Sequence, residues 1–326
     1  MKVLVTGGAG YIGSHTCKAL AEAGHEVMVY DNLSTGHREF AAFGDFVHGD
    51  ILDTQKLRDS FRRWQPDAVI HFAAHAYVGE SVTNPGKYFR NNAVGTLSIL
   101  EAMRDEGVKN IVVSGTCAIY GEPAKMPIVE TTPAHPINPY GASKLFMERM
   151  LADFETAHGI RWMSLRYFNA AGSDPAGRIG ELHHPETHLI PRVAMAALGV
   201  IPAIDLFGSD YPTPDGTCIR DYVHVNDLAT AHILAAEQLT KGGKSAALNL
   251  GAGRGASVRE IVALLEKIAE RQVPFRMKER RAGDPPMLVA DASLARQILG
   301  WQAQRSLEEM LADAWSFLAA NRDRLA

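Results

Sequence analysis

The feature that most constrains this chain lies in its first thirty-one residues. Lys2–Thr6 is a short apolar run of strand character. It leads into Gly7-Gly-Ala-Gly10-Tyr-Ile-Gly13, then a helix-like stretch from Ser14 to Ala23, a stop at Gly24, and a second strand from Glu26 to Tyr30 closed by Asp31-Asn32. Strand, glycine turn, helix and strand at this length make one βαβ unit. Glycines spaced Gly-x-x-Gly-x-x-Gly permit a tight turn and the close backbone approach that a pyrophosphate needs. The helix after them offers unpaired N–H groups and a positive dipole end. Asp31 stands 18 residues after Gly13. A carboxylate there accepts hydrogen bonds from ribose hydroxyls and repels a 2′-phosphate, which favours NAD over NADP. Asp50-Ile51 after a third strand is a candidate seat for the adenine.

The alternation continues. Strands are expected at Asp45–Gly49, Ala68–Phe72, Asn110–Ser114 and Trp162–Tyr167. Helices are expected at Leu52–Trp64, Asn91–Glu106 and around Tyr140–His158. This predicts an α/β fold with a Rossmann-type doubly wound parallel sheet. After Asn169 the texture changes to Gly, Pro and His, and helices follow at Arg192–Leu198, Val225–Leu239, Val258–Glu270 and Leu307–Asn321. Residues 1–170 are therefore read as the cofactor domain, rejoined by segments around 220–250. Residues 171–326 are read mainly as a smaller C-terminal α/β substrate lobe. At 326 residues and 46% apolar content, two lobes are reasonable.

The catalytic candidates are Tyr140 and Lys144, in Tyr140-Gly-Ala-Ser-Lys144. Four residues apart on a helix, they share one face, and Pro139 suits a helix start. The expectation is that the ammonium lowers the phenol's pKa, so that the phenolate takes a proton from an alcohol while hydride leaves. Thr116, just past the strand Asn110–Ser114, lies where such sheets place ligands and could relay the proton. Neither role calls for a metal, and none is expected. Cys117 has no histidine partner in sequence and reads as a small core residue.

Taken together, these residues resemble the extended short-chain dehydrogenase/reductase family, and within it the UDP-glucose 4-epimerase group. The likeness covers nearly the whole chain. It rests on Gly7-Gly-Ala-Gly-Tyr-Ile-Gly-Ser-His15, Phe72-Ala-Ala74, Val78-Gly-Glu-Ser81, Tyr140-Gly-Ala-Ser-Lys144, Leu165-Arg-Tyr-Phe-Asn169, Gly216-Thr-Cys-Ile-Arg-Asp-Tyr-Val-His224 and Arg281-Ala-Gly-Asp284. The resemblance implies tightly held NAD and reversible epimerisation at C4 of UDP-glucose and UDP-galactose through a transient 4-keto sugar. It places Tyr11, Ile12, Asn32, Phe72 and Ala73 at the cofactor, with Asn91, Ser114 and Tyr167 beside them. It assigns Asn169 and His188 to the diphosphate side, Leu189 to the loop segment lining the site and Phe207 to the uracil. Arg220 and Arg281 would hold phosphates and Asp284 the uridine ribose; Thr116 and Tyr140 would also touch the sugar.

Two positions depart from the family pattern or leave it open. Ala76 stands where a well-studied branch carries a lysine. Leu288 occupies a position whose bulk is tied to acceptance of N-acetylated sugars, and leucine is intermediate. The stretch Thr116-Cys-Ala-Ile-Tyr-Gly-Glu-Pro123, with Met126–Glu130 and Pro136–Tyr140, also looks like UDP-xylose/UDP-arabinose 4-epimerases. One hydroxymethyl group is worth about 1–3 kcal/mol of discrimination. A dehydratase or reductase of the same fold is the weaker alternative, because Cys117-Ala118 stand where a 4,6-dehydratase commonly carries an Asp-Glu pair. Relatives usually pair as homodimers, here through helices near Gly95–Glu106 and Phe146–His158.

The net charge of −4 excludes a basic nucleic-acid surface. Three scattered cysteines argue against a disulfide scaffold. The opening apolar run is too short for a signal peptide, and no stretch reaches membrane-span length. A reduced, cytoplasmic setting is expected.

Overall fold

The computed structural model describes residues 1–281 and 284–325. Its strands are β1 (Lys2–Thr6), β2 (Glu26–Asp31), β3 (Asp45–His48), β4 (Ala68–His71), β5 (Asn110–Thr116), β6 (Arg161–Tyr167), β7 (Asn169–Ala171), β8 (Ile204–Phe207), β9 (Ile219–His224), β10 (Ala246–Leu250), β11 (Gly255–Ser257), β12 (Phe275–Lys278) and β13 (Met287–Leu288). Its helices are α1 (Tyr11–Glu22), α2 (Thr54–Trp64), α3 (Val78–Thr83), α4 (Pro85–Tyr88), α5 (Gly95–Glu106), α6 (Pro139–His158), α7 (Leu189–Ala197), α8 (Val225–Thr240), α9 (Val258–Ala269), α10 (Ser293–Leu299) and α11 (Leu307–Ala320).

Seven strands form one sheet in the order β10-β6-β5-β4-β1-β2-β3, with every neighbouring pair parallel. The central strands read as near-continuous apolar runs because both faces are covered. On one face α1 and α8 pack together over a core that includes Val3, Val5, Ile70, Leu165 and Leu228. On the other, α2, α5 and α6 cover Leu4, Val69, Ile99, Ile111 and Met147. Chain order reverses between β1 and β4. The carboxyl ends of the strands therefore open a crevice at that switch point.

The second lobe has its own core, where α7, α9 and α11 meet β8 and β9 around Val193, Leu206, Ile261, Leu311 and Phe317. Its sheet runs β11-β9-β13, with β7 also paired to β9, and β8 pairs separately with β12. These short strands have no counterpart in the sequence reading, which finds helices there and long loops. Other boundaries differ, α7 for instance starting at Leu189 rather than Arg192. Helix α1 starts at Tyr11, not Ser14, because Gly10 serves as its N-cap. The expected helix Asn91–Glu106 is a π-helical turn over Phe89–Val94 followed by α5. Thr116 is the last residue of β5 rather than a residue beyond it, since pairing with β6 runs to Thr116 opposite Tyr167. No described helix is long and apolar enough to cross a membrane.

Candidate active site at the switch point

The glycine turn sits at the end of β1, against the loop after β4. Gly7 has φ +74°, and a Cβ on it would lie 2.5 Å from the Ala73 amide nitrogen. A Cβ on Gly13 would lie 2.1 Å from the Gly7 carbonyl oxygen. The first glycine thus lets the turn touch Ala73, and the third lets α1 touch the turn. Gly10 brings no side-chain cap to the N–H groups that open α1, where Tyr11 and Ile12 form the first turn. Those free donors, at a turn with no side chains to hold a ligand off, fit a dinucleotide pyrophosphate.

The rest of the cleft follows from the strand ends. Asp31 closes β2, buried, with one oxygen accepting from the Ala9 amide (2.9 Å) and the other from Leu33 (2.7 Å). Burial pushes its pKa up, while those two amides work to hold it charged. Asn32 donates to Asp50 (2.9 Å), and Ile51 is buried against Gly95. Phe72 continues the sheet through its amide to the Thr6 carbonyl (2.8 Å) and lays its ring against His232. Asn91 donates to Asn92 (3.0 Å) within the π-helical turn. Ser114 and Tyr167 share a hydroxyl–hydroxyl bond of 2.5 Å at the ends of β5 and β6.

Helix α6 delivers the acid–base pair. Asn138 caps it, its side-chain oxygen accepting from the Gly141 amide (2.8 Å), and Pro139 supplies the first turn. Tyr140 and Lys144 follow on one face, both buried. Lys144 Nζ donates to the Ser114 carbonyl (2.9 Å). Burial pushes the lysine down to about 7, with Glu148 one turn on pulling the other way. Burial pushes Tyr140 up to about 12, opposed by the Thr116 hydroxyl. The expected lowering of the phenol by the ammonium is therefore not realised in the protein alone. The lysine is turned to a backbone oxygen, and desolvation of the phenol dominates. Thr116 is buried beside them, its hydroxyl accepting from the Ala118 amide (3.1 Å). Cys117 is buried, and burial pushes its thiol up to about 12, as suits a core residue.

The substrate-side candidates lie on the second lobe. Asn169 opens β7 and donates to the Asp221 carbonyl (2.9 Å), so its amide nitrogen braces β9. Arg220 on β9 pairs with Asp284 and donates to the Ile219 carbonyl. Arg281 places its guanidinium 3.9 Å from the centre of the Phe207 ring. His188 caps α7 just ahead of Leu189, and its Nδ1 stands 2.7 Å from a Glu181 oxygen. Leu288 lies in register with Arg220 on β13, and Ala76 is exposed in the loop after β4.

Residues 3–251 match the NAD dependent epimerase/dehydratase family. The chain belongs to that family. Its fold and its candidate cofactor cleft are those of an NAD-dependent epimerase/dehydratase enzyme. A UDP-glucose 4-epimerase of Halalkalibacterium halodurans is 50% identical over 318 residues, 97% of this chain and 95% of that one. One of Azospirillum brasilense is 52% identical over 92% of this chain and 86% of its own. The Brucella ovis UDP-glucose 4-epimerase in complex with NAD superposes with a TM-score of 0.95 at 53% identity, covering 97% and 98% of the two chains. A Stenotrophomonas maltophila UDP-glucose 4-epimerase with bound NAD and formylated UDP-arabinopyranose gives 0.96 at 41% identity, covering 99% of each.

Within this family frame, two supports escape the sequence reading. Asn92 is fully buried and bonds both the amide (2.9 Å) and carbonyl (3.0 Å) of His75, and also Ser143 (3.0 Å), tying the loop after β4 to α6. His71 is clamped between Thr6 (2.7 Å) and Thr96 (3.0 Å). Both contacts join segments far apart in sequence, so no local pattern announces them.

Proposed function

We propose that this enzyme interconverts UDP-glucose and UDP-galactose by redox at C4 of the sugar. The observation that carries the reading is the placement of Thr116, Tyr140 and Lys144 together at the carboxyl edge of the sheet, beside the glycine turn, in a chain about half identical to UDP-glucose 4-epimerases over nearly its full length. NAD held there would supply the acceptor for the hydride and its later return. Tyr140 takes the 4-hydroxyl proton and returns it to the 4-keto oxygen as hydride comes back to the other face of C4. Thr116 positions the reacting oxygen and relays the proton. Lys144, anchored on the Ser114 carbonyl, holds positive charge near the phenol and the ribose. Asp31 accepts from the adenosine ribose, with Asn32, Asp50 and Ile51 around the adenine. The α1 N-terminus with Tyr11 and Ile12 takes the pyrophosphate. Phe72, Ala73, Asn91, Ser114 and Tyr167 line the floor.

Arg220 and Arg281 bind the diphosphate with a fork that suits phosphate oxygens, and a phosphate must replace the Asp284 carboxylate on Arg220. Asp284 is then free for the uridine ribose. Phe207 packs the uracil, and Asn169, His188 and Leu189 complete the pocket. We divide the chain into a cofactor half, residues 1–170 with returning segments from 220–250, and a substrate half in the remainder. Two copies pair through α5 and α6, a reading supported by the half-exposed Phe146 on α6 and Val94 just ahead of α5. Three buried, unpaired cysteines suit the cytoplasm.

A second reading, the UDP-xylose/UDP-arabinose pair, is favoured by the bound sugar of the Stenotrophomonas maltophila relative. Purified protein without added cofactor, offered UDP-galactose and UDP-xylose separately with products read by NMR, decides between them. Turnover of UDP-galactose without external NAD is expected. Strong preference for the pentose overturns the substrate ranking, and released NADH overturns the closed redox cycle. Tyr140→Phe is expected to keep fold and NAD content and to lose about 100- to 10,000-fold in kcat.

A further inference from the structure

The loop between β7 and α7 carries Glu181-Leu-His183-His-Pro-Glu186-Thr-His188, a Glu-x-His-x-x-Glu-x-His pattern with no role in the hydride chemistry. Its four side chains converge, with one ligand-type atom from each lying within 4.8 Å of every other. His183 Nδ1 lies 3.3 Å from Glu181 and 3.4 Å from Glu186, and His188 Nδ1 lies 2.7 Å and 3.3 Å from the same two carboxylates. A tetrahedral ion with bonds of about 2.0–2.2 Å has ligand–ligand edges of about 3.3–3.6 Å. Three of the four His–Glu separations are of that size, the two to Glu186 running to different oxygens of its carboxylate, and the fourth is a contraction that an ion would open.

Two further observations point to a cation. His183 Nδ1 is fully buried and has no hydrogen-bond partner, although two carboxylate oxygens are near it. The Glu181 and Glu186 side chains, 9% and 5% exposed, are two carboxylates facing each other almost out of water. Such a pair requires compensating charge, which the two imidazoles supply when protonated and a bound ion would supply in their place. Glu186 is oriented from outside the cluster, one of its oxygens accepting from the amides of Thr187 and His188 (both 2.7 Å). That is the outer support that metal-binding carboxylates use.

We propose that Glu181, His183, Glu186 and His188 form a binding site for a divalent transition ion, with two imidazole nitrogens and two carboxylate oxygens suiting Zn²⁺ or Co²⁺. The site is structural. Beside it stand the ring of Tyr11, 6.4 Å from the His183 ring, and the ring of Tyr77, 6.0 Å from His183 and 6.2 Å from His188. Tyr11 opens α1 and also donates to the Gly172 carbonyl (2.6 Å). An ion here stitches the loop that ends at Leu189 into one turn-rich unit against the cofactor turn. The site shares His188 with the substrate reading above, and its readout, ion binding, is separate from turnover.

The test uses the purified full chain after chelator treatment, with Zn²⁺ or Co²⁺ alone as probe, at mildly alkaline pH so that the ion displaces the imidazole protons more readily. One ion per chain is expected by elemental analysis. Visible Co²⁺ absorption of a low-coordinate nitrogen–oxygen site is expected with it. His183→Ala and Glu186→Gln are each expected to lose that equivalent while keeping NAD content and circular dichroism. If a variant fails to fold, the wild-type Co²⁺ spectrum decides alone. A spectrum indistinguishable from aqueous Co²⁺, an intense near-ultraviolet thiolate band, or undiminished uptake by the folded variants overturns the proposal.

Discussion

Tyr140 and Lys144 share a helix turn but answer to different neighbours. The lysine bonds a backbone carbonyl and is pushed down to about 7, whereas the phenol sits among buried groups and is pushed up to about 12. Each shift disfavours the charged form, so the protein alone presents a neutral phenol and a lysine close to losing its proton. The pair was legible in the sequence because a four-residue helical spacing is local information. The direction of the shifts was not, because burial is a property of the whole fold. The glycines are similar in kind. Their pattern is readable in seven residues, but only the structure shows that Gly13 faces the Gly7 carbonyl. A methyl group there collides with backbone, which cannot swing aside as a side chain can. Gly13→Ala is therefore expected to yield protein largely free of nucleotide, measured by chromatography of the denatured supernatant. Wild-type NAD content in that variant would refute the tight-packing argument.

At the scale of elements, α6 is held at both ends of its functional turn. Asn138 fixes its start, and Glu148, one turn past Lys144, binds Ser164 (2.7 Å) and Arg166 (2.8 and 2.5 Å) on β6. Arg166 reaches on to the Tyr120 hydroxyl (2.8 Å), and Tyr120 to Asn249 on β10 (2.7 Å). The helix is thus registered against the sheet edge by buried charge, not by apolar contact alone. Asn138→Ala is expected to cost about 1 kcal/mol in urea unfolding. It should lower kcat by about tenfold or more, through misplacement of Tyr140. An unchanged kcat beside the lost stability would show that the cap does not position the phenol. The cofactor-half elements were legible from apolar runs and glycine stops, within a residue or two at most ends. The π-helical turn at Phe89–Val94 and the strands β7, β8, β9, β11, β12 and β13 were not. A π turn has no compositional mark, and strands of two to six residues paired across the chain carry too little periodicity to separate them from loops.

For the molecule as a whole, four histidines are buried in neutral form: His15, His224 and His232 are pushed down to about 4 and His71 to about 3, each mainly by burial. In the unfolded chain they protonate near 6.5. Between about pH 6.5 and pH 4 the unfolded state therefore binds more protons than the folded one, so stability falls as the pH is lowered. Several carboxylates held low by ion pairs, such as Asp174 beside Arg178 and Lys18, add to the loss below that range. Calorimetry across this interval is expected to show a steep drop in Tm. A flat profile would mean that the histidines are not kept neutral by the fold.

The last strand of the cofactor sheet, β10, is reached only after the chain has built β7, β8 and β9 of the other lobe. It lies along β6 from Ala246 beside Met163 to Leu250 beside Tyr167. The two halves are consequently interleaved, and they are not exchangeable cassettes. A chimera that swaps everything after residue 170 for a relative's sequence also swaps the strand that covers the β6 edge. Recombination that altered sugar choice while sparing the cofactor half would have to exchange pieces on both sides of β10 and leave that strand in place. Specificity in this architecture therefore diverges more readily by substitution within loops than by shuffling of lobes.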